Sequence, residues 1–367
     1  MASRSVAGAG AATGTGIGLG AGGLSGGTGG STGAGAAVLR GRGLPVVGFG
    51  GRLGQAGRLR PIAGFAVLIC VTLALALRLP AGTAVVGLAT FGILHNVLEL
   101  RYMAGRFDGL LHGPFLRLLG ALITGIVLVR LLPPSTASRA AEILLAYVLL
   151  AVACWYALRS RPLRLAAALP VIAGAAATSL AFPAYHFVVL THLHNVVPLV
   201  FLWEWSRDLP RGRTLFRAVQ CGWIVVIPAL VLSGAFDGLM GAGSGWTARL
   251  SSSYTPPAWQ HTEAGQRFVT VFAFMALMHY LVWVWFMPRY APDATAAFER
   301  RVPVVTGRWA WALGIGGTAA LAVLFVSDYD QGTSLYSAIA SYHAYLEFPV
   351  LLMLILGLAP RNPEGEK

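Results

Sequence analysis

Long apolar segments recur along most of this chain, and each has about the length that an α-helix needs to cross a lipid bilayer. A helix rises about 1.5 Å per residue, so roughly 20 apolar residues cross a hydrocarbon core about 30 Å thick. The pattern predicts an all-α fold, a polytopic integral membrane helical bundle with about ten transmembrane helices. We place these spans near 61–79, 83–101, 115–133, 140–158, 164–182, 184–205, 216–235, 267–287, 309–327 and 337–358.

The composition agrees with a membrane domain that has a polar tail at each end. Of 367 residues, 56% are hydrophobic and only 11% are charged, and the mean hydropathy is +0.69. Ordinary soluble domains do not show this balance. Residues 1–58 are rich in Gly and Ala and cannot bury a core, so we expect a disordered cytoplasmic tail. The transmembrane domain is expected over 59–360, and a short C-terminal tail over 361–367.

The arginines predict how the chain is oriented in the cell membrane. Cytoplasmic loops of membrane proteins hold an excess of Lys and Arg. With the N-terminus inside, the ten spans place 22 of the 27 Lys and Arg residues in inner segments and five in outer loops. This split predicts that both termini are cytoplasmic. Residues 236–266 then form the one long outer loop, which is expected to be either a lid or binding element or a plain surface loop.

The formal net charge of +13 does not indicate nucleic-acid binding. The arginines are spread over the inner loops beside anionic lipid headgroups, and no basic run is interleaved with aromatic residues as a stacking surface requires. We therefore expect the lipid bilayer as a partner and no nucleic acid.

Ionisable side chains inside the spans are the strongest sign of function. Each costs at least about 2.5–3.5 kcal/mol in the bilayer unless it is paired, ligated or facing water. The even-numbered spans that carry them all run in the same direction, and their predicted depths differ by only about 6 Å. The sequence therefore predicts one site at the midplane. Its candidate members are His95, Glu99, His192, His194, His279, His343 and Glu347.

Two of these spans share a His-x-x-x-Glu spacing. His95 and Glu99 lie one helical turn apart on one face of the second span, and His343 and Glu347 repeat the arrangement in the tenth. A carboxylate one turn from a histidine can ligate the same ion or accept a hydrogen bond that orients the imidazole. Both glutamates are therefore candidate ligands or orienting groups.

The sixth span carries two histidines whose spacing is less favourable. His192 and His194 point about 200° apart in a regular helix, so both can face one site only if the helix is distorted. Pro198 removes the backbone hydrogen bond to residue 194 and is a candidate for that distortion. The sequence leaves open whether one or both of these histidines take part.

Imidazoles and carboxylates together favour a metal centre. The predicted ion is non-haem iron, with copper and haem as open alternatives, and the predicted substrate is a lipophilic small molecule that reaches the site from the bilayer. An electron donor would be a further partner. The candidate metal ligands are His95, His192, His194, His279 and His343, and the candidate catalytic residues are Glu99, Glu347, Tyr102 and Tyr342.

In having several membrane spans with separate intramembrane histidines, the chain is similar in outline to the Brp/Blh carotenoid-cleaving oxygenases. The resemblance is one of architecture and assigns no residue roles. It implies a membrane oxygenase or oxidoreductase. The HxxxH and HxxHH clusters of membrane desaturases are absent from the sequence. A proton-coupled transporter or channel that uses the same His and Glu residues, a haem-binding membrane protein and a purely structural role are the alternatives.

Overall fold

The computed structural model describes residues 55–209 and 212–356 of the chain. All the regular structure in these residues is helical, and they contain no strand. The predicted tails over 1–58 and 361–367 lie outside them, except that the first helix begins at Gln55.

Ten helices in this part of the chain are long and apolar enough to cross a membrane. Their number confirms the count predicted from hydropathy, and the chain has the all-helical architecture of a multi-pass membrane protein. In chain order they are α1 (Arg60–Arg78), α2 (Pro80–Arg106), α3 (Gly113–Arg130), α4 (Thr136–Leu158), α5 (Pro162–Ala181), α6 (Pro183–Trp205), α7 (Arg213–Leu232), α8 (Glu263–Tyr290), α9 (Gly307–Ser327) and α10 (Tyr329–Ile355).

Helix boundaries differ most from the sequence prediction at α10. The helix begins at Tyr329 rather than near residue 337, because Asp328 caps it. One carboxylate oxygen of Asp328 accepts hydrogen bonds from the backbone N–H groups of Asp330 and Gln331, at 3.1 and 3.0 Å. Such a cap satisfies N–H groups that have no partner within the helix. Asp330 therefore lies in the first turn of α10 and not in a loop.

The most buried spans form the centre of the bundle. Over the most apolar 18-residue stretch of each helix, 72% of the residues of α8 are buried, 56% of those of α10 and 50% of those of α2. None of the residues in this stretch of α5 is buried. Helix α2 packs against α8, α9 and α10, and α10 also packs against α3 and α4. Helix α6 packs against α8. The four spans that carry the predicted site are thus in contact around one interior region.

Residues 233–262, which we call the cap segment, cover one end of the bundle. They contain a helix, Gly245–Tyr254, that packs against α2, α6 and α8. Ion pairs join Asp237 to Arg267 of α8 and Arg249 to Asp330 of α10. The long predicted loop is therefore mostly helical structure that lies over this end, called the cap end below.

Helix α9 approaches α2 closely beside one of the candidate histidines. A Cβ atom added at Gly314 would lie 2.6 Å from Leu94 Cδ1 and 3.0 Å from Leu94 Cα. The hydroxyl of Thr318 also accepts a hydrogen bond from the Leu94 N–H at 3.1 Å. Only glycine permits this contact, which holds α2 in place at the residue that precedes His95.

Candidate metal centre

Four histidines from four different helices meet in the interior of the bundle. They are His95 of α2, His194 of α6, His279 of α8 and His343 of α10, and one nitrogen of each lies within 4.8 Å of the others. His95 and His279 are fully buried, and His343 is 1% exposed. Each histidine lies near the middle of its helix.

The separations of the imidazole nitrogens suit ligands of one ion. His343 Nε2 lies 3.3 Å from His95 Nε2 and 3.2 Å from His194 Nε2. Two nitrogens that each lie about 2.1 Å from a common ion are roughly 3.0–3.4 Å apart, for angles between octahedral and tetrahedral. His343 Nε2 is therefore spaced from each of these two nitrogens as one metal ligand is from another, and the other separations in the group are within 4.8 Å.

Hydrogen bonds at the opposite ring nitrogens fix how two of these imidazoles face the centre. His95 Nδ1–H donates to the Phe91 carbonyl at 2.9 Å, and His194 Nδ1–H donates to Glu347 Oε2 at 2.6 Å. Each Nε2 atom then directs a lone pair towards His343. His343 can offer one Nε2 proton, which satisfies only one of these two acceptors. A cation between the rings would satisfy all three.

Two buried carboxylates lie next to the histidines. Glu99, Glu347 and His279 form a second group whose ligand atoms are within 4.8 Å of one another, and both glutamates are fully buried. Glu99 Oε2 lies 3.6 Å from His279 Nε2. Glu347 bonds to His194 of α6, and Glu99 faces His279 of α8, so the pairs form between helices.

Unsatisfied polar atoms are concentrated at this centre. Both oxygens of Glu99, both ring nitrogens of His279 and Oε1 of Glu347 are buried without a hydrogen-bond partner among the described residues. Native proteins contain only a few such groups, and each costs several kcal/mol where no water can reach it. Donor atoms of this kind, gathered at one point, could hold a metal ion.

Local irregularities in two helices accompany the histidines. In α6 the chain changes from one helical segment to another at Val197, because Pro198 has no N–H to donate to the His194 carbonyl. In α8 a π-helical turn, Val282–Phe286, begins three residues after His279. Turns of this type occur frequently at functional sites because they rotate the side chains of the preceding turn.

His192 does not join the four histidines, although the sequence made it a candidate ligand. Its Nε2 atom lies 2.9 Å from the Tyr254 carbonyl of the cap segment, and its ring contacts Phe268. The break at Pro198 follows both histidines, so His192 and His194 remain in a regular stretch of helix and face opposite sides. The contact instead attaches α6 to the cap segment.

The two tyrosines that the sequence proposed as proton donors lie on α2 and α10, the helices of His95 and His343. Tyr102 packs against Trp283, with ring centroids 5.5 Å apart. The Tyr342 hydroxyl is 3.2 Å from Thr124 Oγ1 on α3. A tyrosine that the sequence did not single out, Tyr280, lies at the site, with its ring centroid 4.3 Å from that of His95. Its position next to His279 in the sequence puts it on a different face of α8, so helical spacing alone did not indicate it.

A cavity of about 550 Å³ reaches the centre from the cap end. His194 and His343 are in its wall, together with Tyr280 and Tyr336. Tyr254 of the cap segment also lines it, and burial raises the pKa of this hydroxyl, which keeps it neutral. The volume is in the range of about 300–1,000 Å³ that is usual for small-molecule sites. The cavity thus gives access to the cluster at His194 and His343.

Comparisons of the chain with protein-family models, with curated proteins and with solved structures find no match. The chemistry of the site is therefore argued from its own residues.

Proposed function

We propose that this protein is a metal-dependent membrane oxidoreductase, of the oxygenase class, that acts on a lipophilic small molecule. The observation that carries the proposal is the convergence of four imidazoles, from α2, α6, α8 and α10, on one interior point. The proposed ligands are His95, His194, His279 and His343. The bilayer, the lipophilic substrate and an electron donor are the proposed partners.

The charges around the four histidines support a divalent ion. Four neutral imidazoles leave both positive charges of such an ion uncompensated, which is costly in an apolar bundle. Glu99 and Glu347 contribute two negative charges within 4.8 Å of His279. Ion, imidazoles and carboxylates together are then neutral. Purely structural histidines would not require this balance.

The nitrogen separations favour a non-haem ion over haem. Axial nitrogens on opposite faces of a haem would be about 4 Å apart, with the macrocycle between them. The Nε2 atoms of His343 and its two neighbours are only 3.2 and 3.3 Å apart. Imidazole suits iron and copper, and we choose iron because sites with histidine, carboxylate and open positions are typical of non-haem oxygenases.

The open side of the centre supports catalysis rather than a structural role for the ion. Structural metal sites are closed by protein ligands, whereas catalytic sites keep a position for a substrate or water. The cavity provides such a position at His194 and His343. A bound redox-active ion would supply the activation of dioxygen. The protein would hold that ion, orient His194 through Glu347 and exclude bulk water.

The proposal is tested by purifying the protein in lipid nanodiscs and measuring its metal content, its visible absorption and its binding of nitric oxide. Nitric oxide is a probe for an open coordination position. We expect about one iron per chain, no Soret band and an iron–nitrosyl signal. A Soret band would indicate haem. Metal-free protein that carries protons or solutes across liposomes would instead support the transporter alternative, and both outcomes contradict the proposal.

A further inference from the structure

The cavity wall carries a second polar group besides the histidines. Arg130, at the end of α3, donates to Glu142 Oε1 of α4 from Nε at 2.8 Å and from Nη2 at 2.6 Å. The Tyr345 hydroxyl of α10 donates to the same oxygen at 2.6 Å. Both Arg130 and Glu142 line the cavity that reaches His194 and His343.

The ion pair contacts α10 on both sides of His343. Arg130 Nη1 donates to the Ser337 carbonyl at 2.9 Å, six residues before His343, and Glu142 accepts from Tyr345, two residues after it. The pair and the histidines line the same cavity. A small molecule in this cavity can therefore contact the ion pair with one end and the histidines with another part.

The pair retains hydrogen-bonding capacity. A guanidinium carries five N–H donors, and three of those of Arg130 are used in the bonds to Glu142 and Ser337. Glu142 Oε2 accepts no hydrogen bond from the residues over 55–356 that the structure describes. An accessible donor thus lies beside an accessible acceptor. A hydroxyl group complements both, because it donates one hydrogen bond and accepts others.

The charge of the pair favours a neutral ligand over an acid. Glu142 already compensates Arg130, and the side chain of Glu142 is only 8% exposed. A carboxylate bound at the pair would add a third charge beside the buried Glu142, at a desolvation cost that a neutral hydroxyl does not incur. A plain hydrocarbon would leave the spare donor and acceptor unpaired, which also costs free energy.

We propose that the Arg130–Glu142 pair binds a hydroxyl group at one end of the lipophilic substrate and so determines which part of the molecule lies at the histidines. The substrate class is thereby a hydroxylated lipid-soluble molecule rather than a hydrocarbon or a fatty acid. This inference rests on the proposed function, since it takes the histidines to be the reacting centre.

The test uses three alkyl probes of the same chain length, each bearing a diazirine. One is a hydrocarbon, one is a primary alcohol and one is a carboxylic acid. They are photo-crosslinked to the full chain in nanodiscs at neutral pH, and labelled peptides from α10 and the cap segment are quantified against concentration. We expect the alcohol to bind about tenfold more tightly than either of the others, the usual effect of a hydrogen bond to a charged group.

The decisive variant replaces both members of the pair, Arg130→Met with Glu142→Leu, because removal of one member alone leaves a buried charge. It should abolish the preference for the alcohol while metal content stays at the wild-type level. The matched control, Arg249→Gln with Asp330→Asn, removes an ion pair that also involves α10 but lies outside the cavity's polar end. It should retain the preference.

Three results would overturn the inference: equal binding of alcohol and hydrocarbon by the wild type, tightest binding of the acid, or a preference that survives in the double variant. A different result would contradict the proposed function and leave this inference intact. If the wild-type protein holds no metal but prefers the alcohol through Arg130 and Glu142, the hydroxyl site stands and the oxygenase proposal does not.

Discussion

At the residue scale, one buried glutamate holds a histidine of the cluster by a hydrogen bond, and a second lies beside another. Glu347 accepts a hydrogen bond from His194 at 2.6 Å, and Glu99 lies 3.6 Å from His279. A carboxylate that accepts from one ring nitrogen increases the basicity of the other and holds the ring in place. The site therefore depends on groups that need not touch the ion.

We predict that Glu99→Gln and Glu347→Gln each weaken metal binding by about 10–100-fold, the usual effect of losing a carboxylate that orients a ligand. Each change keeps the side-chain shape but removes one of the two negative charges that balance the ion. Metal affinity is measured by competition with a chelator of known strength.

Glu204→Gln is the matched control for this prediction. Glu204 also lies in a spanning helix, but it pairs with Arg106 and Arg207 rather than with a histidine. Metal affinity should stay near that of the wild type. If Glu204→Gln is the damaging change while the other two are silent, the chemistry lies at the opposite end of the bundle from the cap segment.

Sequence reasoning found most of the residues that converge but not their pairing. The free-energy cost of an ionisable side chain in the bilayer singled out His95, His279 and His343, because such a group is kept only where it is paired, ligated or facing water. It did not separate His192 from His194, since that depends on the rotation of α6 about its axis. Contacts between helices, such as Tyr280 over His95, have no signal in the spacing along one chain.

At the scale of elements, the position of α2 depends on its close contact with α9. Gly314 has no room for a side chain against Leu94, which precedes His95. The Leu94 N–H also donates to Thr318 of α9. A displacement of α2 at this point would move one ligand away from the other three.

We predict that Gly314→Ala destabilises the protein by about 1–3 kcal/mol, as overpacking of a well-packed interior does, and lowers its metal content. Gly316→Ala is the control on the same helix, because a Cβ atom there would have no neighbour within 4 Å. That change should be neutral or slightly stabilising, since alanine favours helix by up to about 1 kcal/mol over glycine. Thermal unfolding midpoints and metal content are measured for both, and equal behaviour would argue against the close α2–α9 contact.

The ends of helices are the part of the fold that the sequence predicts least well. Hydropathy identifies the apolar middle of a span, but α10 continues two turns further because Asp328 caps it. The order in the cap segment arises from contacts far apart in sequence, such as that between Asp237 and Arg267, so composition suggested only a long loop.

At the scale of the whole molecule, ten spans follow from apolar length alone, and the described residues contain ten such helices. The orientation in the membrane stays a prediction from the arginine distribution. It places the cap segment, and with it the opening of the cavity, on the outer side.

We predict that a cysteine at Ser252 reacts with a membrane-impermeant maleimide added from outside, whereas one at Arg213 reacts only after the membrane is opened. The experiment uses intact cells and a chain in which Cys70, Cys154 and Cys221 are replaced. Labelling of both positions from the same side would contradict the ten-span orientation.

The central claim, that four histidines hold one metal ion, is tested most directly by the metal content of five single alanine variants that elute as folded protein from gel filtration. His95→Ala, His194→Ala, His279→Ala and His343→Ala should each lose the ion that the wild type holds, because each removes one donor nitrogen. His192→Ala should retain it. His192 lies two positions before His194 on the same helix, but its ring bonds to the Tyr254 carbonyl and not to the cluster. Loss of the ion in His192→Ala to the same extent, or its retention in the other four, would contradict the account.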